Sequence, residues 1–287
     1  MPYEGNKDVV VLVGAGGIGS AVARRVAFGK HLVVTGYSQD ETDAAVERFA
    51  KDGFEVTGLK CDLASREDIL AVIAHAQEHG PIVHVICAGG VSPSQAPIKT
   101  ILAVDLYGTS VLLEEFGKVI APGGSGVVIS SQSGHRLPAL SPEENKLLAT
   151  TPTEELLALD MLQEEQIRTT LRAYQFAKRT NVLRVAYEAT KWGERGARVN
   201  SVSPGIIMTP LAFDEINGPR GEGYRTMLQK MPAGRAGTVD EIGRLCEFLL
   251  GPNASFITGS DILADGGCTA AYWYGNLQYL QEGWSQS

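Results

Sequence analysis

Two Tyr-x-x-x-Lys pairs lie thirteen residues apart in this chain, Tyr174 with Lys178 and Tyr187 with Lys191. A phenol one helical turn from an ammonium group is a candidate proton donor and acceptor, because the positive charge favours the phenolate and lowers the tyrosine pKa. If residues 173–192 form one helix, thirteen residues rotate the second pair by roughly 220° and move it about 20 Å along the axis. The two pairs therefore cannot face the same pocket, and only one of them can be catalytic.

A glycine-rich turn near the start of the chain is a candidate phosphate site. Residues 9–13 are a continuous apolar run, typical of a parallel strand buried on both faces. A helical pattern begins at Ser20, and between the two stands Gly14-Ala15-Gly16-Gly17-Ile18-Gly19. In this order G-x-G-x-x-G predicts dinucleotide binding, because the glycines let the backbone and the helix N-terminal N–H groups approach a pyrophosphate. The alternative is a glycine-rich turn without a ligand.

Composition and charge indicate one soluble α/β domain spanning residues 1–287. The chain is 44% hydrophobic, and no Pro/Ser/Gly-rich linker or shift in composition divides it. A net charge of −8 argues against nucleic acid or an anionic membrane as partner. No apolar run approaches the ~18 residues of a membrane span, and residues 1–4 open no signal peptide, so the cytoplasm is the expected compartment.

The four cysteines give no indication of a metal site. They are Cys61, Cys87, Cys246 and Cys268, and their spacing fits no pattern of metal ligands. We therefore predict buried, reduced thiols and no bound metal.

Strand and helix patterns alternate along the chain, which predicts a doubly wound parallel sheet of the Rossmann type. The seven expected strands are residues 9–13, 31–35, 54–59, 82–86, 126–130, 197–202 and 261–263. In open sheets of this kind ligands bind outside the carboxyl ends of the strands. Functional residues are therefore expected just after each strand.

The residues at those strand ends resemble the short-chain dehydrogenase/reductase family over nearly the whole length of the chain. Seven signals occur in family order: Gly14 to Gly19, Asp62-Leu63, Cys87-Ala88-Gly89, Ser130-Ser131, a Tyr-x-x-x-Lys, the run from Val199 to Gly205 followed by Thr209-Pro210, and Asp265-Gly266-Gly267. Together they are far more specific than any one of them. The resemblance implies hydride transfer between a nicotinamide cofactor and a ketone or alcohol.

The resemblance also implies roles for individual residues. The family's active tyrosine precedes the Arg-Val-Asn strand by about a whole helix, which selects Tyr174 and Lys178 over Tyr187 and Lys191. Ser131 would position the substrate carbonyl, and Asp105 stands where the family has a helix asparagine. The cofactor-binding residues would be Gly14, Gly16, Gly17, Ile18, Gly19, Tyr37, Ser38, Asp62, Leu63, Cys87, Ala88, Gly89, Tyr174, Lys178, Pro204, Gly205, Ile207 and Thr209.

Four departures from the family pattern affect these roles. The glycine loop is one residue shorter, and Cys87 replaces the usual asparagine. Asp105 replaces the helix asparagine of the family. If this residue acts through its backbone carbonyl on a proton-relay water, aspartate serves as well as asparagine. If the side-chain amide of asparagine is needed, the proton relay is impaired. Ser131 and Tyr174 are forty-three residues apart, about thirty more than is common in the family.

The extra residues, about 138–168, are expected to form a helical insertion. Ser141-Pro142-Glu143-Glu144 and Thr151-Pro152-Thr153-Glu154 each supply a capping hydroxyl, a proline and a glutamate, which predicts helices at about 142–150 and 152–168. A similar insertion occurs in the branch with bacterial 3α-hydroxysteroid dehydrogenase/carbonyl reductases. Because the Tyr helix commonly builds the family's dimer interface, we expect a homo-oligomer, a dimer or tetramer, whose assembly or pocket the insertion influences.

The cofactor preference is indicated by the end of the second strand, Thr35-Gly36-Tyr37-Ser38. An acidic residue there would select NAD by accepting from the ribose 2′-OH and repelling a 2′-phosphate. The strand end itself has no acidic residue, because Asp40 and Glu41 come later in the chain, and this absence favours NADP. The lack of an adjacent arginine favours NAD, and on balance we predict NADP.

The substrate is expected to contact a lid at about residues 208–235. Met208, Leu211, Phe213, Met227 and Met231 make this region apolar, which favours a hydrophobic ketone or secondary alcohol such as a steroid or bile acid. Alternatively, these side chains only pack the lid onto the body.

Two other functions stay open at this point. A 3-oxoacyl-carrier-protein reductase would use the same core with basic residues near its pocket, for which Arg220 and Arg225 are the candidates. A dinucleotide-binding regulator would keep the glycine loop and lose the chemistry, which the presence of Ser131, Tyr174 and Lys178 disfavours.

Overall fold

Seven parallel strands form one sheet in the computed structural model, which describes residues 7–218 and 221–284. The strand order is β3-β2-β1-β4-β5-β6-β7, and the expected strands are confirmed with ends shifted by at most two residues. The order reverses between β1 and β4, so the carboxyl ends of these strands border the crevice where such sheets bind ligands. The strands are β1 Val9–Val13, β2 His31–Gly36, β3 Glu55–Lys60, β4 Ile82–Cys87, β5 Ser125–Ile129, β6 Arg198–Pro204 and β7 Asp261–Ala264.

Helices cover both faces of this sheet, which confirms the doubly wound Rossmann-type α/β fold. Apolar residues of α3, α5 and α8 pack on one face, and those of α1, α2 and α11 pack on the other. In the described part of the chain, no helix combines the length and apolar character needed to cross a membrane. The α-helices are α1 Gly17–Val26, α2 Gln39–Lys51, α3 Arg66–His79, α4 Ile98–Ile101, α5 Thr109–Val119, α6 Pro142–Thr150, α7 Glu164–Ile167, α8 Thr170–Glu194, α9 Pro210–Asn217, α10 Gly221–Lys230, α11 Val239–Leu250 and α12 Cys268–Tyr274.

Other helical types connect these elements. A π-helix, Leu102–Gly108, joins α4 to α5. Single π-turns inside α-helices occur often at functional sites, and this one contains Asp105. The 3₁₀ turns are Gln132–Arg136, Thr153–Ala158, Asp160–Leu162, Pro252–Ala254 and Gln278–Trp284. All four cysteines are buried and unpaired, as the sequence predicted.

The segment 138–168 contains one of the two helices expected there. In α6 the capping box is confirmed: Ser141 Oγ accepts from the Glu144 N–H at 3.1 Å, and the Glu144 carboxylate accepts from the Ser141 N–H at 2.7 Å. The predicted helix at 152–168 is wrong, because two 3₁₀ turns and the short α7 take its place.

Residues of the expected second cap make other contacts. Thr153 Oγ1 donates to Glu114 at 2.7 Å, and the carbonyl oxygen of Thr151, the expected cap residue, accepts from Arg184. Arg168 adopts a φ of +62° and separates α7 from α8, so the segment does not run into the Tyr174 helix. Thr169 then caps α8 by accepting from the Arg172 N–H at 3.2 Å.

The apolar side of this segment packs on α8 and the π-helix. Leu148 and Leu156 are fully buried, and they share an apolar cluster with Leu106 and Phe176. The leucine-rich face therefore covers the N-terminal half of the helix that carries Tyr174.

Candidate active site

The β1–α1 turn has the open space and the free N–H groups that a dinucleotide pyrophosphate needs. Gly14 has a φ of +89°, and a Cβ added to it would lie 2.3 Å from the Gly89 nitrogen, so the turn and the end of β4 touch backbone to backbone. A Cβ on Gly16 would meet no atom within 4 Å, which leaves a space in front of α1. No side chain caps α1, so its first N–H groups are available to an anion. These residues fit a nicotinamide dinucleotide.

A cavity of about 220 Å³ lies at the carboxyl ends of β4, β5 and β6. It brings together many of the residues that the sequence assigned to catalysis and to cofactor binding. These are Ile18, Ala88, Gly89, Ser131, Tyr174, Lys178, Pro204, Gly205, Ile207 and Thr209.

Tyr174, Lys178 and Ser131 share one wall of this cavity. The Lys178 Nζ lies 5.3 Å from the centroid of the Tyr174 ring. The end of β5 is attached to α8 by Ser130, whose Oγ donates to the Lys178 carbonyl oxygen at 2.7 Å. Gly134 allows the 3₁₀ turn after Ser131 to approach the same helix, because a Cβ there would lie 2.8 Å from the Lys178 carbonyl carbon. The serine and the Tyr-x-x-x-Lys pair are therefore held in a fixed relation.

The pKa of Tyr174 is raised above its ordinary value by its protein surroundings. Burial is the main cause, and the carboxylates of Asp105 and Glu215 raise this pKa further. The Lys178 charge and a hydrogen bond with Ser131 act in the opposite direction. The net direction follows because burial and two negative charges outweigh one ammonium group.

Asp105 lies beneath this wall and contacts Lys178 through its carboxylate. Its side chain is fully buried, with Oδ1 at 3.6 Å from the Lys178 Nζ and accepting from the Val91 N–H at 3.1 Å. Its Oδ2 has no hydrogen-bond partner among the described residues. Burial lowers the pKa of Lys178, but the charges of Asp105 and Tyr174 outweigh it, and the net pKa is raised. Lys178 is therefore held in its charged form.

The second pair, Tyr187 and Lys191, faces a different part of the surface. Both pairs lie on α8, a single helix of 25 residues, as the helical geometry required. The Lys191 Nζ lies 4.4 Å from the centroid of the Tyr187 ring and 2.8 Å from the Glu188 carboxylate. These three residues border a separate cavity beside residues 150–154.

Three of the residues predicted to bind the cofactor, Asp62, Leu63 and Cys87, do not line this cavity. Asp62 accepts from the Ala64 N–H at 2.9 Å, and Leu63 is buried beneath Gly89. The Cys87 side chain is also buried, within the apolar core, and burial raises its pKa to about 11. The Cys87 side chain is thus directed into the core and does not line the cavity.

The end of β2 has an acidic side chain that the strand sequence did not reveal. Glu41, from the first turn of α2, accepts from the Tyr37 N–H at 3.0 Å. Ser38 caps the same helix by accepting from the Glu41 N–H at 3.2 Å. Tyr37 itself is exposed.

The apolar lid residues lie mostly away from the cavity. Met227 and Met231 pack against Cys268 and Tyr272 in a separate cluster, and Phe213 is exposed. This confirms the packing alternative for the two methionines. Leu211 is described by its backbone alone, and Arg220 lies outside the described residues. Arg225 is exposed and donates to the Ile216 carbonyl oxygen at 2.7 Å.

Several polar residues of the cavity were missed by the sequence analysis. Ser92 follows β4 closely, so the rule of strand carboxyl ends could have found it. Gln132 and Ser133 follow Ser131 in the same way. Glu215 and Tyr224 come from α9 and α10, and no sequence pattern distinguishes Glu215 from its neighbour Asp214. All of these except Asp214 line the cavity.

Comparison with known proteins agrees with this fold. A family model described as Enoyl-(Acyl carrier protein) reductase matches residues 14–145 and 143–269. The short-chain dehydrogenase/reductase bsc3 of Alternaria brassicicola is 38% identical over 266 residues, which are 92% of this chain and 97% of that protein. The chain therefore belongs to the short-chain dehydrogenase/reductase family and is an oxidoreductase of the kind that uses a nicotinamide cofactor.

More distant relatives include hydroxysteroid dehydrogenases. The 3-alpha-hydroxysteroid dehydrogenase/carbonyl reductase of Comamonas testosteroni is 29% identical over 269 residues, which are 92% of this chain and 97% of that protein. The structure of the 3-alpha-hydroxysteroid dehydrogenase from Pseudomonas sp. B-0831, complexed with NADH, has a TM-score of 0.71 at 26% identity. The similarity covers 93% of this chain and 98% of that one.

Proposed function

We propose that this oxidoreductase interconverts a hydrophobic secondary alcohol and its ketone, with a hydroxysteroid-like molecule as the substrate class. The observation that carries the proposal is the shared cavity wall of Ser131, Tyr174 and Lys178, next to the residues expected to hold the nicotinamide. The similarity to two hydroxysteroid dehydrogenases supports the ring-shaped substrate. Because a carboxylate, Glu215, faces the same cavity, a neutral hydroxysteroid suits it better than an anionic bile acid.

In this mechanism the protein supplies position and charge. A bound nicotinamide supplies or accepts the hydride. Tyr174 donates its phenolic proton to the alkoxide oxygen during reduction, and it takes that proton back during oxidation. Ser131 donates a hydrogen bond to the same oxygen, and the charge of Lys178 stabilises the phenolate. Asp105 keeps Lys178 charged and holds it near the backbone of Val91.

The cofactor preference is open to direct test at the end of β2. The sequence prediction of NADP stays a prediction, and two contacts argue for NAD instead. The Tyr37 N–H, which could have bound a 2′-phosphate, donates to the Glu41 carboxylate, and the Ser38 hydroxyl caps α2. Since a carboxylate at this point repels a 2′-phosphate and accepts from a free 2′-OH, we propose Glu41 as the residue that discriminates between the two.

Three further features belong to this proposal. Residues 208–235 act as a lid over the substrate, since Thr209, Ala212, Glu215 and Tyr224 line the cavity. The segment 138–168 supports the Tyr174 helix, because its leucines pack there and none of its described residues lines the cavity. The chain acts as a homo-oligomer, which sedimentation would test.

The experiment that tests the function is a substrate screen with each nicotinamide cofactor. Hydroxysteroids, bile acids, alicyclic alcohols and a 3-oxoacyl thioester are offered to the enzyme, and reduced-cofactor fluorescence is recorded. The proposal expects turnover of neutral hydroxysteroids or alicyclic alcohols, with bile acids weaker. Turnover of the thioester alone would favour an acyl-carrier-protein reductase.

A further inference from the structure

A buried carboxylate lines the cavity. Glu215, in the second turn of α9, is only 5% exposed and lines the same cavity as Ser131 and Tyr174. The Ser92 Oγ donates to its Oε1 and the Ser94 Oγ donates to its Oε2, both at 2.9 Å. The loop after β4 therefore holds this side chain in one orientation.

No cation balances this carboxylate within the described part of the chain. No lysine, arginine or histidine nitrogen described in the structure lies within 4.0 Å of either Glu215 oxygen, whereas buried Asp105 and Glu188 each have a lysine partner. A glutamate is rarely buried to this degree unless it is paired. Each oxygen accepts one serine hydrogen bond and can accept another. The serines thus leave capacity for a further donor in the cavity.

Glu215 also shares the cavity lining with Tyr174. Its charge contributes to raising the pKa of Tyr174. A substrate whose carbonyl oxygen contacts Tyr174 and Ser131 would occupy the same cavity that Glu215 lines.

We propose that Glu215 determines specificity by accepting a hydrogen bond from a second polar group of the substrate, a hydroxyl or an ammonium group remote from the reacting carbon. This inference rests on the proposed alcohol/ketone function and refines its substrate. The preferred substrates are then diols, hydroxyketones or amino alcohols on an apolar ring. A ring that lacks such a donor leaves the buried carboxylate unsolvated when it displaces water, and it binds less well.

Matched substrate pairs test this role. Cyclohexanol is compared with the three positional isomers of cyclohexanediol and of aminocyclohexanol, and a 3-hydroxysteroid is compared with its analogue that has a second hydroxyl. The best donor-bearing member should exceed its parent in kcat/KM by about tenfold. Glu215→Gln should remove most of that ratio. A larger loss for the amino alcohol would identify the ammonium group as the natural donor, and a larger loss for the diol would identify the hydroxyl.

The ratio separates substrate contact from other roles of Glu215. An effect on Tyr174 or on lid position changes both members of a pair alike and leaves the ratio unchanged. Asp214→Asn is the matched control, because it removes the same charge from an exposed position on the same helix, and its ratio should stay within about twofold of the wild type. If Glu215→Gln does not fold, Glu215→Asp keeps the charge and shortens the reach, and it should lower the ratio in the same direction.

Two outcomes overturn the inference while leaving the proposed function intact. One is turnover of the parent alcohols with no wild-type preference for any donor-bearing analogue. The other is an equal loss for both members of every pair in the Glu215 variants. If no alcohol or ketone of either series reacts with NAD or NADP, the proposed function itself fails, and the inference fails with it.

Discussion

The Lys178 Nζ lies 3.6 Å from the Oδ1 of Asp105, and both side chains are buried beneath the tyrosine that faces the cavity. The same Oδ1 accepts from the Val91 N–H at 3.1 Å, so one carboxylate links the π-helix, the loop after β4 and α8. Asp105 thus sets the charge state of Lys178 and, through it and its own charge, the proton affinity of Tyr174.

Asp105→Asn should shift the pH dependence of alcohol oxidation to lower pH. Oxidation needs the phenolate, so kcat/KM rises as the pH passes through the pKa of Tyr174. Asp105 raises that pKa through its own charge. With Lys178 still protonated, neutralising Asp105 favours the phenolate, so the rising limb should move down by about one unit. The measurement is the pH profile of kcat/KM at saturating oxidised cofactor.

Glu188→Gln is the control for this profile. Glu188 is also buried and also pairs with a lysine of α8, but it lies on the side of Tyr187. In the Glu188→Gln variant, kcat/KM should rise at the same pH as in the wild type. An Asp105→Asn limb that stays in place or moves to higher pH would contradict the proposed influence of Asp105 on Tyr174.

Glu41→Gln should raise the preference for NADP. Loss of the carboxylate at the Tyr37 N–H removes the repulsion of a 2′-phosphate, so the NADP/NAD ratio of kcat/KM should rise by about tenfold. Asp40→Asn removes an adjacent charge of the same helical turn and should change the ratio by less than about twofold. Gly36 is unsuited to this test, because a Cβ there would lie 2.8 Å from the Glu41 Cβ. An unchanged NADP/NAD ratio of kcat/KM in Glu41→Gln would show that Glu41 does not determine the cofactor preference.

Leu156→Ala should lower the free energy of unfolding by about 2–5 kcal/mol, because Leu156 is fully buried in the apolar cluster that the segment 138–168 shares with the π-helix and α8. Leu147→Ala, at a side chain that is 45% exposed, should change it by less than about 0.5 kcal/mol. Chemical denaturation measures both. At 25 °C the KM for a small alcohol should be unaffected, and a large change in KM without loss of stability would show that the segment acts on the substrate instead.

Much of the fold could be predicted from sequence because its signals are local. Residues 9–13, Gly14 to Gly19 and the helix after them form one continuous strand–turn–helix pattern, and β2, β4 and β5 again contain apolar runs. The position of Tyr174 relative to Asn200 selected the pair that lines the cavity together with Ser131. The cap at Ser141 was likewise a local pattern, and it is confirmed.

The remaining features depend on contacts between residues far apart in the chain. The pattern at Thr151 fits a helix cap as well as the pattern at Ser141 does. However, Arg184 donates to the Thr151 carbonyl oxygen and Thr153 donates to Glu114, and the helix does not form. Glu41 reaches the end of β2 by folding back from α2. Glu215 is buried because Ser92 and Ser94, more than 120 residues earlier, hydrogen bond to it. None of these contacts has a local sequence signature.

The central claim is that Tyr174, and not Tyr187, transfers the proton that accompanies hydride transfer. The measurement is a single-turnover reaction of the wild type, Tyr174→Phe and Tyr187→Phe with a substrate found by the screen, following the absorbance of the reduced nicotinamide, alongside the cofactor affinity of each variant. Tyr174→Phe should slow the chemical step by at least about 100-fold with nearly unchanged cofactor affinity, while Tyr187→Phe reacts like the wild type. Equal losses in the two variants, or a Tyr174→Phe enzyme that retains the wild-type rate, would contradict the account.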